Sequence, residues 1–386
     1  MTAEPMAAAP TAEPQPTVSI AVHTLRREYA WSGEARSLRY LRLTLQGTGF
    51  ELVAGADGID LHGSPLKLLT DNALRRMGRA GHEVWRGAEM LLLKIPTAGQ
   101  LPMALAASHG FPGRRIVWID GRVWQPLPVR SLGKLLSTQL GLTAGRLALD
   151  RPQWMKLSSG EEADIVVASR TQQQDLAPWL TPNLRVHVIP NGSFSGQPPP
   201  RPARDPSRPF TVGYLGNGYQ VKGTGDLLES LDLLRQRNVP VHARFALSGL
   251  EAAELGQEAG RRGHEVVGLV NPQEFFASID VLVLPLWSDA GTMVFPNVLL
   301  ESLYYGVPVV VSDLQVTREM FDADGLARFV PPRDPHALAL SLEDVARDPS
   351  ILPRAEALQR HFEAHFSEKM VRNGWLHLLR GEAAHA

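Results

Sequence analysis

The 386-residue sequence contains no cysteine, and this absence excludes disulfide bonds, thiolate metal sites and cysteine nucleophiles. Lysine is scarce as well, because only six of the 39 basic residues are lysine; with abundant alanine and proline, this bias indicates a bacterial genome of high GC content. The formal net charge is −1, so no excess of either sign favours nucleic acid or an acidic partner. We therefore expect a globular enzyme or binding protein with no nucleic-acid partner.

Long hydrophobic runs are absent too. No stretch reaches the about 18 consecutive apolar residues that a transmembrane helix needs. Residues 1–17 are rich in alanine, proline, glutamate and threonine and lack the basic and apolar regions of a signal peptide. We therefore predict a disordered N-terminal tail and a cytoplasmic protein.

The length of the chain allows two domains, each with its own core. Proline crowds residues 196–209, where it excludes helix and central strand because it lacks the backbone donor and fixes φ. We predict a linker there, between an N-terminal domain over residues 18–195 and a C-terminal domain over residues 210–367. The apolar segment around Trp375 predicts a final helix, in residues 368–386, that returns to the first domain.

Apolar runs of strand length alternate with segments of helical periodicity, an order typical of a doubly wound parallel sheet. The predicted strands are residues 18–23, 50–53, 91–96, 116–120, 165–169 and 186–189, then 210–215, 241–247, 266–270, 280–285 and 307–311. In the predicted helix 35–45, Arg36, Arg39 and Arg42 share a face that fits an anionic membrane, an anionic acceptor or solvent, and we interpret it as solvated. The expected fold is α/β with two Rossmann-like domains.

Residues 295–313 read as a short helix that runs directly into a buried strand. Pro296 suits the first helical position, Asn297 can cap the helix, and Gly306 suits the left-handed residue past its end. Glu301 stands out as a carboxylate on an otherwise apolar helix. Its oxygens would lie near the helix N-terminus, where backbone N–H groups attract anions, and would accept hydrogen bonds from hydroxyls of the same ligand. Phosphate with sugar hydroxyls describes a nucleotide sugar; a solvated glutamate is the alternative.

A second candidate site follows the predicted strand 210–215. Gly216, Asn217 and Gly218 form a glycine-rich turn that leads through Lys222 to a helical segment. Glycine lets the backbone approach a phosphate, the amides donate hydrogen bonds, and a lysine adds positive charge. The sequence therefore predicts a phosphate site here, although glycine-rich turns alone are weak evidence for a ligand.

Pro-Asn-Val-Leu-Leu-Glu at residues 296–301, followed closely by Gly-Val-Pro-Val-Val, resembles the donor-binding signature of glycosyltransferase family 4, also called glycosyl transferases group 1. The resemblance implies a GT-B fold and a retaining enzyme. In that family a Glu-x7-Glu pair brackets this helix, and Glu301 matches the second glutamate, which holds the ribose. The first glutamate, which faces the transferred sugar, falls on Met293. Either Asp289 or Thr292 replaces it, or the donor lacks the hydroxyl that the glutamate normally holds.

The resemblance also implies roles for other residues. Lys222 matches the pyrophosphate-binding lysine, whereas the arginine usual a few residues earlier is missing, so Tyr214, Asn217 or Tyr219 would take part of its role. Asp120 stands where many members have a histidine facing the sugar, and it would contact donor or acceptor hydroxyls or act as a base. Lys222, Glu301 and Asp120 are the candidate catalytic residues. The candidate donor-binding residues are Gly33, Gly216, Asn217, Gly218, Lys222, Gly268, Leu269, Asp289, Thr292, Met293, Pro296, Asn297, Val298 and Glu301.

The resemblance thus implies transfer of a hexose from a nucleoside diphosphate to a hydroxyl of a polysaccharide, glycolipid or secondary-metabolite acceptor. The expected reaction proceeds with retention and without a cofactor or a metal in the site, and the chain has no HExxH motif. Lys222 and helix N-termini would stabilise the leaving group instead. Two alternatives stay open: a catalytically silent nucleotide-sugar-binding partner protein, and a nucleotide-sugar epimerase on the same fold.

Overall fold

The computed structural model describes the chain in segments, which are residues 18–24, 33–54, 87–95, 97–122, 152–158, 160–192, 198–201, 204–205, 207–217, 220–248, 252–289, 294–322 and 325–382. The predicted tail at residues 1–17 and three candidate donor-binding residues, Gly218, Thr292 and Met293, lie outside these segments. Within them the chain forms two six-stranded sheets whose strands are all parallel. The predicted α/β class with two doubly wound sheets is therefore confirmed. None of the helices described is long and apolar enough to cross a membrane.

The first sheet has the strand order β2-β1-β3-β4-β5-β6. Its strands are β1 Val18–Thr24, β2 Phe50–Ala54, β3 Met90–Ile95, β4 Arg114–Ile119, β5 Ala163–Val167 and β6 Leu184–Val188. The helices described in this half are α1 Gly33–Leu45, α2 Leu101–Ala107 and α3 Arg170–Leu176, and 3-10 turns cover Ala98–Gln100, Pro152–Ser158 and Ala177–Trp179. β3 and β5 are buried almost throughout, which is why their sequences are mainly apolar, with Lys94 and Asp164 as the exceptions.

The second sheet has the strand order β12-β11-β10-β7-β8-β9. Its strands are β7 Phe210–Asn217, β8 Val241–Ser248, β9 Glu265–Val267, β10 Val281–Leu284, β11 Val309–Ser312 and β12 Arg328–Val330. The helices are α4 Thr224–Gln236, α5 Ala252–Arg261, α6 Pro272–Ser278, α7 Asn297–Tyr304, α8 Gln315–Met320, α9 Pro335–Arg347, α10 Ala355–His365 and α11 Glu368–Arg380, with 3-10 turns at Gln220–Lys222 and Pro349–Ile351.

Each sheet reverses its strand order at one point, and ligands of open parallel sheets bind outside the strand ends at such a point. In the second sheet the reversal lies between β7 and β10, where the glycine-rich turn leaves β7. In the first sheet it lies between β1 and β3, beside β4 and the residue that follows it, Asp120. The topology therefore points to these two places as the parts of the molecule where a site can form.

The last helix, α11, packs on the first sheet although it follows the second one in the chain. Trp375 meets Trp118 of β4 edge to face, with ring centroids 5.4 Å apart. Val371, Leu378 and Leu379 join the same apolar cluster with residues of β1, β3 and α1. Arg114 of β4 donates to the carbonyl of Leu379 at 3.2 Å. The chain thus passes from the first sheet to the second and then returns.

A buried carboxylate ties three basic side chains to the first sheet. Asp164 of β5 is 0% exposed and accepts hydrogen bonds from Arg114 Nε at 2.7 Å and Arg185 Nε at 2.9 Å, and it lies 2.9 Å from His187 Nε2. Burial alone would raise the pKa of Asp164, but the hydrogen bonds from His187, Arg185 and Arg114 hold it well below its usual range. The ionised form is therefore part of the fold.

Two details differ from the expectations. Pro296 does not occupy the first helical position: its ψ of 132° is not helical and its carbonyl accepts from Leu299 N at 2.9 Å, so it is the capping residue and Asn297 the first residue of α7. β9 ends at Val267, three residues before the predicted end, and Leu269 is 82% exposed. Gly306, by contrast, has the predicted left-handed conformation, with φ of 67°.

Candidate active site between the two sheets

The glycine-rich turn is fixed by a close approach to the segment after β10. Gly223 has φ of 70°, and a Cβ placed on it would lie 1.7 Å from the carbonyl oxygen of Pro285. Any side chain would therefore meet backbone at this point and would also strain a left-handed residue. Because only glycine fits, the turn that ends in Lys222 is held against the carboxyl end of β10, at the reversal point of the second sheet.

Trp287 also connects these two segments, through hydrogen bonds from its backbone and its ring. Its backbone N–H donates to the carbonyl of Val221 at 3.0 Å, and its ring Nε1–H donates to Asp226 Oδ2 at 2.7 Å. The guanidinium of Arg333 lies 4.7 Å from the centroid of the ring, a distance typical of a cation–π contact. Burial raises the pKa of the Asp226 carboxyl. The start of the loop that leads to Asp289 thus packs against the glycine-rich turn.

Tyr214 and Asn217, two of the residues that the sequence offered in place of the missing arginine, stabilise the glycine-rich turn. Tyr214 is 1% exposed and donates from its hydroxyl to the carbonyl of Asn217 at 2.7 Å, and burial raises its pKa far above the usual value. Asn217 accepts from Ser248 Oγ through Oδ1 at 3.0 Å. Tyr214 therefore shapes the turn but does not reach into it, and Tyr219 lies outside the described residues.

Glu301 is buried, not solvated. Its exposure is 1%, and that of Asn297, one helical turn before it, is 8%. Burial of a charged carboxylate is unfavourable unless the site supplies partners, so the alternative of a surface glutamate does not hold. Pro296 and Val298 are half-buried beside them. Phe295, directly before this helix start, has φ of 55°, a conformation that is rare outside glycine and that typically occurs at functional turns.

Asp120 lies in a buried ion pair at the end of the first sheet. Its carboxylate accepts a short hydrogen bond from Nζ of Lys94, the only charged residue of β3, and each residue is 3% exposed. Lys94 Nζ also lies 4.7 Å from the ring centroid of Trp118. The backbone carbonyl of Asp120 accepts from Val294 N at 2.9 Å, so the end of β4 contacts the segment just before α7. The predicted strand-end residue is thus connected to the segment before α7, but through its backbone carbonyl and not through its carboxylate.

Asp289, which the sequence offered as a replacement for the missing glutamate, lies in an ion pair with Arg122. It is 2% exposed and accepts from Arg122 Nη1 at 2.8 Å, an ion pair that joins the two sheets. Burial raises the pKa of Asp289 and the contact with Arg122 opposes that rise. Burial lowers the pKa of Arg122, but hydrogen bonds to Asp175 and Asp289 outweigh it, so the net shift is upward.

Arg122 is the centre of this bridge, which the sequence analysis missed. Its Nε and Nη2 donate to Asp175 of α3, and Nη2 also donates to Gln315 Oε1 of α8 at 2.6 Å. Beside it, Glu319 of α8 accepts from the backbone N–H groups of Arg170 and Thr171, at 2.6 and 2.9 Å. The only sequence signal was an arginine two residues after Asp120, because the partners are far away in the chain.

A third contact between the two halves lies next to α7. Asn191 Nδ2 donates to the carbonyl of Val294 at 2.9 Å. The Cβ position of Gly192 is 3.2 Å from Leu300 Cδ1, so a larger residue would press on α7. Asp120 and Asn191 together hold both backbone polar groups of Val294. Residues of the first half therefore position the segment that leads into α7.

The remaining candidate residues of the described segments lie on other elements. Gly33 is the first residue of α1 in the first half. Gly268 and Leu269 follow β9, an edge strand separated from β7 by β8, and both are exposed. The structure brings Lys222, Gly223 and the start of the 286–289 segment together, and it brings Asp120 to the start of α7.

Part of the chain matches a known protein family. Residues 209–348, which contain the glycine-rich turn and α7, match the family model of the glycosyl transferases group 1. No curated protein sequence matches the chain.

Solved structures with the same fold cover nearly the whole chain. A sucrose-phosphate synthase from Thermosynechococcus elongatus has a TM-score of 0.67 at 15% identity, over 94% of this chain and 98% of its own. HepE from Anabaena, in complex with UDP and glucose, has 0.64 at 15% identity, over 94% and 99%. The apo form of the lipopolysaccharide outer core galactosyltransferase WaaB has 0.63 at 12% identity, over 94% and 99%. The fold is therefore GT-B.

Proposed function

From the match of residues 209–348 to the glycosyl transferases group 1 and from the GT-B fold, we propose that this chain moves a hexose from a nucleoside-diphosphate sugar to an acceptor hydroxyl with retention. UDP is the nucleotide that we expect, because the similar HepE structures hold UDP or UDP-glucose. In this proposal residues 18–195 with 368–386 form the acceptor domain, residues 210–367 form the donor domain, and residues 196–209 link them. The acceptor class stays open among polysaccharide, glycolipid and secondary metabolite.

One observation supports the donor site above all others. A carboxylate that is 1% exposed, Glu301, lies in the same domain as a lysine-bearing turn that is built on an obligatory glycine, Gly223. Such a pairing suits a ligand with one anionic part and one part rich in hydroxyls. We assign the diphosphate to Lys222 and the turn Gly216, Asn217 and Gly218, and the ribose to Glu301.

The other donor contacts are assigned by position. The exposed backbone after β9, at Gly268 and Leu269, would bind the base, and Gly33 would allow α1 to approach the diphosphate. The start of α7, formed by Pro296, Asn297 and Val298, would face the phosphates through its N–H groups. Thr292 and Met293 would border the sugar, whereas Asp289 would shape this pocket through Arg122.

Catalysis then depends on charge stabilisation at the leaving diphosphate. Lys222 and the N-terminus of α7 would stabilise the negative charge that develops when the bond between sugar and phosphate breaks. Asp120, held by Lys94, would face the hydroxyls of donor or acceptor from the first domain. The ion pair with Lys94 would hold the Asp120 carboxylate in position.

Incubation of the purified protein with a panel of nucleotide sugars, followed by measurement of nucleotide release and thermal stabilisation, tests this proposal. We expect one nucleotide class to stabilise the protein and its sugar to be turned over. Lys222→Ala should lower turnover about 100-fold or more, as removal of an electrostatic stabiliser typically does, while Lys369→Ala, an exposed lysine of α11, should leave it unchanged. Equal turnover by Lys222→Ala and the parent would remove Lys222 from the site.

The same panel distinguishes the alternatives. Stabilisation by a nucleotide sugar without any release of nucleotide would identify a silent binding protein. Release of free nucleotide with an epimerised sugar, and without an added acceptor, would identify an epimerase.

A further inference from the structure

A cluster of two histidines and an aspartate lies in the second half, on elements other than those of the donor site. His361 and His365 are one turn apart on α10, and their ring centroids are 4.6 Å apart. Asp322 follows α8, with Oδ1 3.9 Å from His361 Nε2. One ligand atom from each residue lies within 4.8 Å of the other two. Histidines at positions i and i+4 share a helix face, which is a common way to present two ligands to one ion.

The burial of the three side chains suits a site that an ion can enter. His361 is 9% exposed, whereas Asp322 and His365 are exposed, so the cluster has a buried side and an open side. His361 Nε2 lies 2.9 Å from the carbonyl of Met320, and a backbone carbonyl is a usual orienting partner for a metal-binding imidazole. The ion would therefore bind the other ring nitrogen, Nδ1.

We propose that Asp322, His361 and His365 form a binding site for a divalent transition metal, Zn²⁺ in particular. Two imidazoles and one carboxylate are a ligand set that Zn²⁺ accepts, with water in the fourth position. Tetrahedral Zn²⁺ at about 2.0–2.1 Å from each ligand needs ligand atoms roughly 3.3 Å apart. The exposed side chains of Asp322 and His365 can close the remaining distance by rotation, while His361 stays in place.

The site would connect α10 with the end of α8. The same α8 contacts the first sheet through Gln315, which accepts from Arg122, and through Glu319, which accepts from the N–H groups at the start of α3. A metal ion at Asp322 would therefore stiffen the helix that carries these two contacts. Its role is structural, and it does not depend on the proposed transfer reaction.

The test uses untagged, chelator-treated full-length protein titrated with Zn²⁺ in a calorimeter and with Co²⁺ in a spectrophotometer. We expect one equivalent of Zn²⁺ bound with a micromolar or tighter dissociation constant, and visible Co²⁺ absorption typical of a low-coordinate site. His365→Gln and Asp322→Asn should weaken Zn²⁺ binding at least tenfold, because each removes an exposed ligand without disturbing the core.

His336→Gln is the matched control, since His336 is an exposed histidine of α9 in the same half of the chain. This variant should bind Zn²⁺ like the parent. The proposal is overturned if the parent binds no Zn²⁺ in the micromolar range, if His365→Gln binds as tightly as the parent, or if His336→Gln loses binding to the same extent.

Discussion

Replacing Arg122 with methionine should separate the two halves of the molecule. The guanidinium of Arg122 bonds to Asp175 on its own side and to Asp289 and Gln315 on the other. Asp289 is 2% exposed, so Arg122→Met would leave a buried carboxylate without its cation. Breaking a buried ion pair from one side costs about 3 to 5 kcal/mol. At about 1.4 kcal/mol per factor of ten, the ratio of closed to open molecules should fall about 100- to 4,000-fold.

Small-angle scattering and steady-state kinetics measure this effect. Arg122→Met should increase the radius of gyration and lower kcat/KM, but nucleotide affinity should change little, because the nucleotide is assigned to the second domain. Asp289→Leu should behave in the same way. Arg39→Gln, which changes an exposed arginine of α1, serves as the control and should alter none of these quantities.

The double variant Arg122→Met with Asp289→Leu gives the sharpest outcome. Replacing both members of a buried pair with apolar residues is often nearly neutral for stability, so the double variant should recover much of the compactness that either single variant loses. Additive losses would contradict the bridge. If Asp289→Leu alone abolished transfer from hexose donors and Arg122→Met had no effect, Asp289 would contact the sugar and the assignment made here would be wrong.

Three further predictions follow from single residues. Glu301→Gln should weaken nucleotide binding by roughly 1.5 to 3 kcal/mol, the value of a charged hydrogen bond, and an unchanged affinity in calorimetry would mean that Glu301 does not hold the ribose. Gly223→Ala should lower the melting temperature and abolish nucleotide binding, because its Cβ would lie 1.7 Å from Pro285 O; retention of both properties would show that the turn can move away. Asp164→Asn should lower the free energy of unfolding at pH 7, where the parent has the full benefit of a carboxylate with a depressed pKa. This benefit is present above the unfolded-state pKa of about 3.9 and is lost as pH falls through the folded-state value, so urea unfolding at acidic pH should show the two proteins converging, and a constant difference would contradict the argument.

The strands could be predicted from the sequence because buried parallel strands consist of short apolar runs that polar turns separate. Val281–Leu284 and Val309–Ser312 are fully buried; the first falls inside the predicted strand 280–285, and the second ends one residue after the predicted strand 307–311. The sequence could not show that Pro296 caps α7 and that Asn297 is its first residue. Both residues suit the first helical turn, and only the ψ angle of Pro296 decides between them.

The candidate site was predictable where its chemistry is local. The turn around Lys222 and Gly223 and the helix with Glu301 could be recognised, since each consists of consecutive residues. The ion pairs could not, because Arg122 and Asp289 are 167 positions apart, and Lys94 and Asp120 are joined only through the register of β3 and β4. The histidine cluster was missed for the same reason: Asp322 and His361 come together only when α8 and α10 pack.

The return of α11 to the first sheet determines how the molecule can open. The Cβ position of Gly192, at the end of the first half, lies 3.8 Å from the carbonyl of Phe366, just before α11. The outgoing and returning passages of the chain are thus neighbours, and Arg201 fastens the outgoing one to the second sheet through the carbonyls of Gly306 and Ile279, at 2.9 Å each. Because the two connections are adjacent, we expect the halves to rotate about them and not to slide past one another. A protease that cut one connection would leave the other as a tether, and the nicked protein should still elute as a single species from a sizing column.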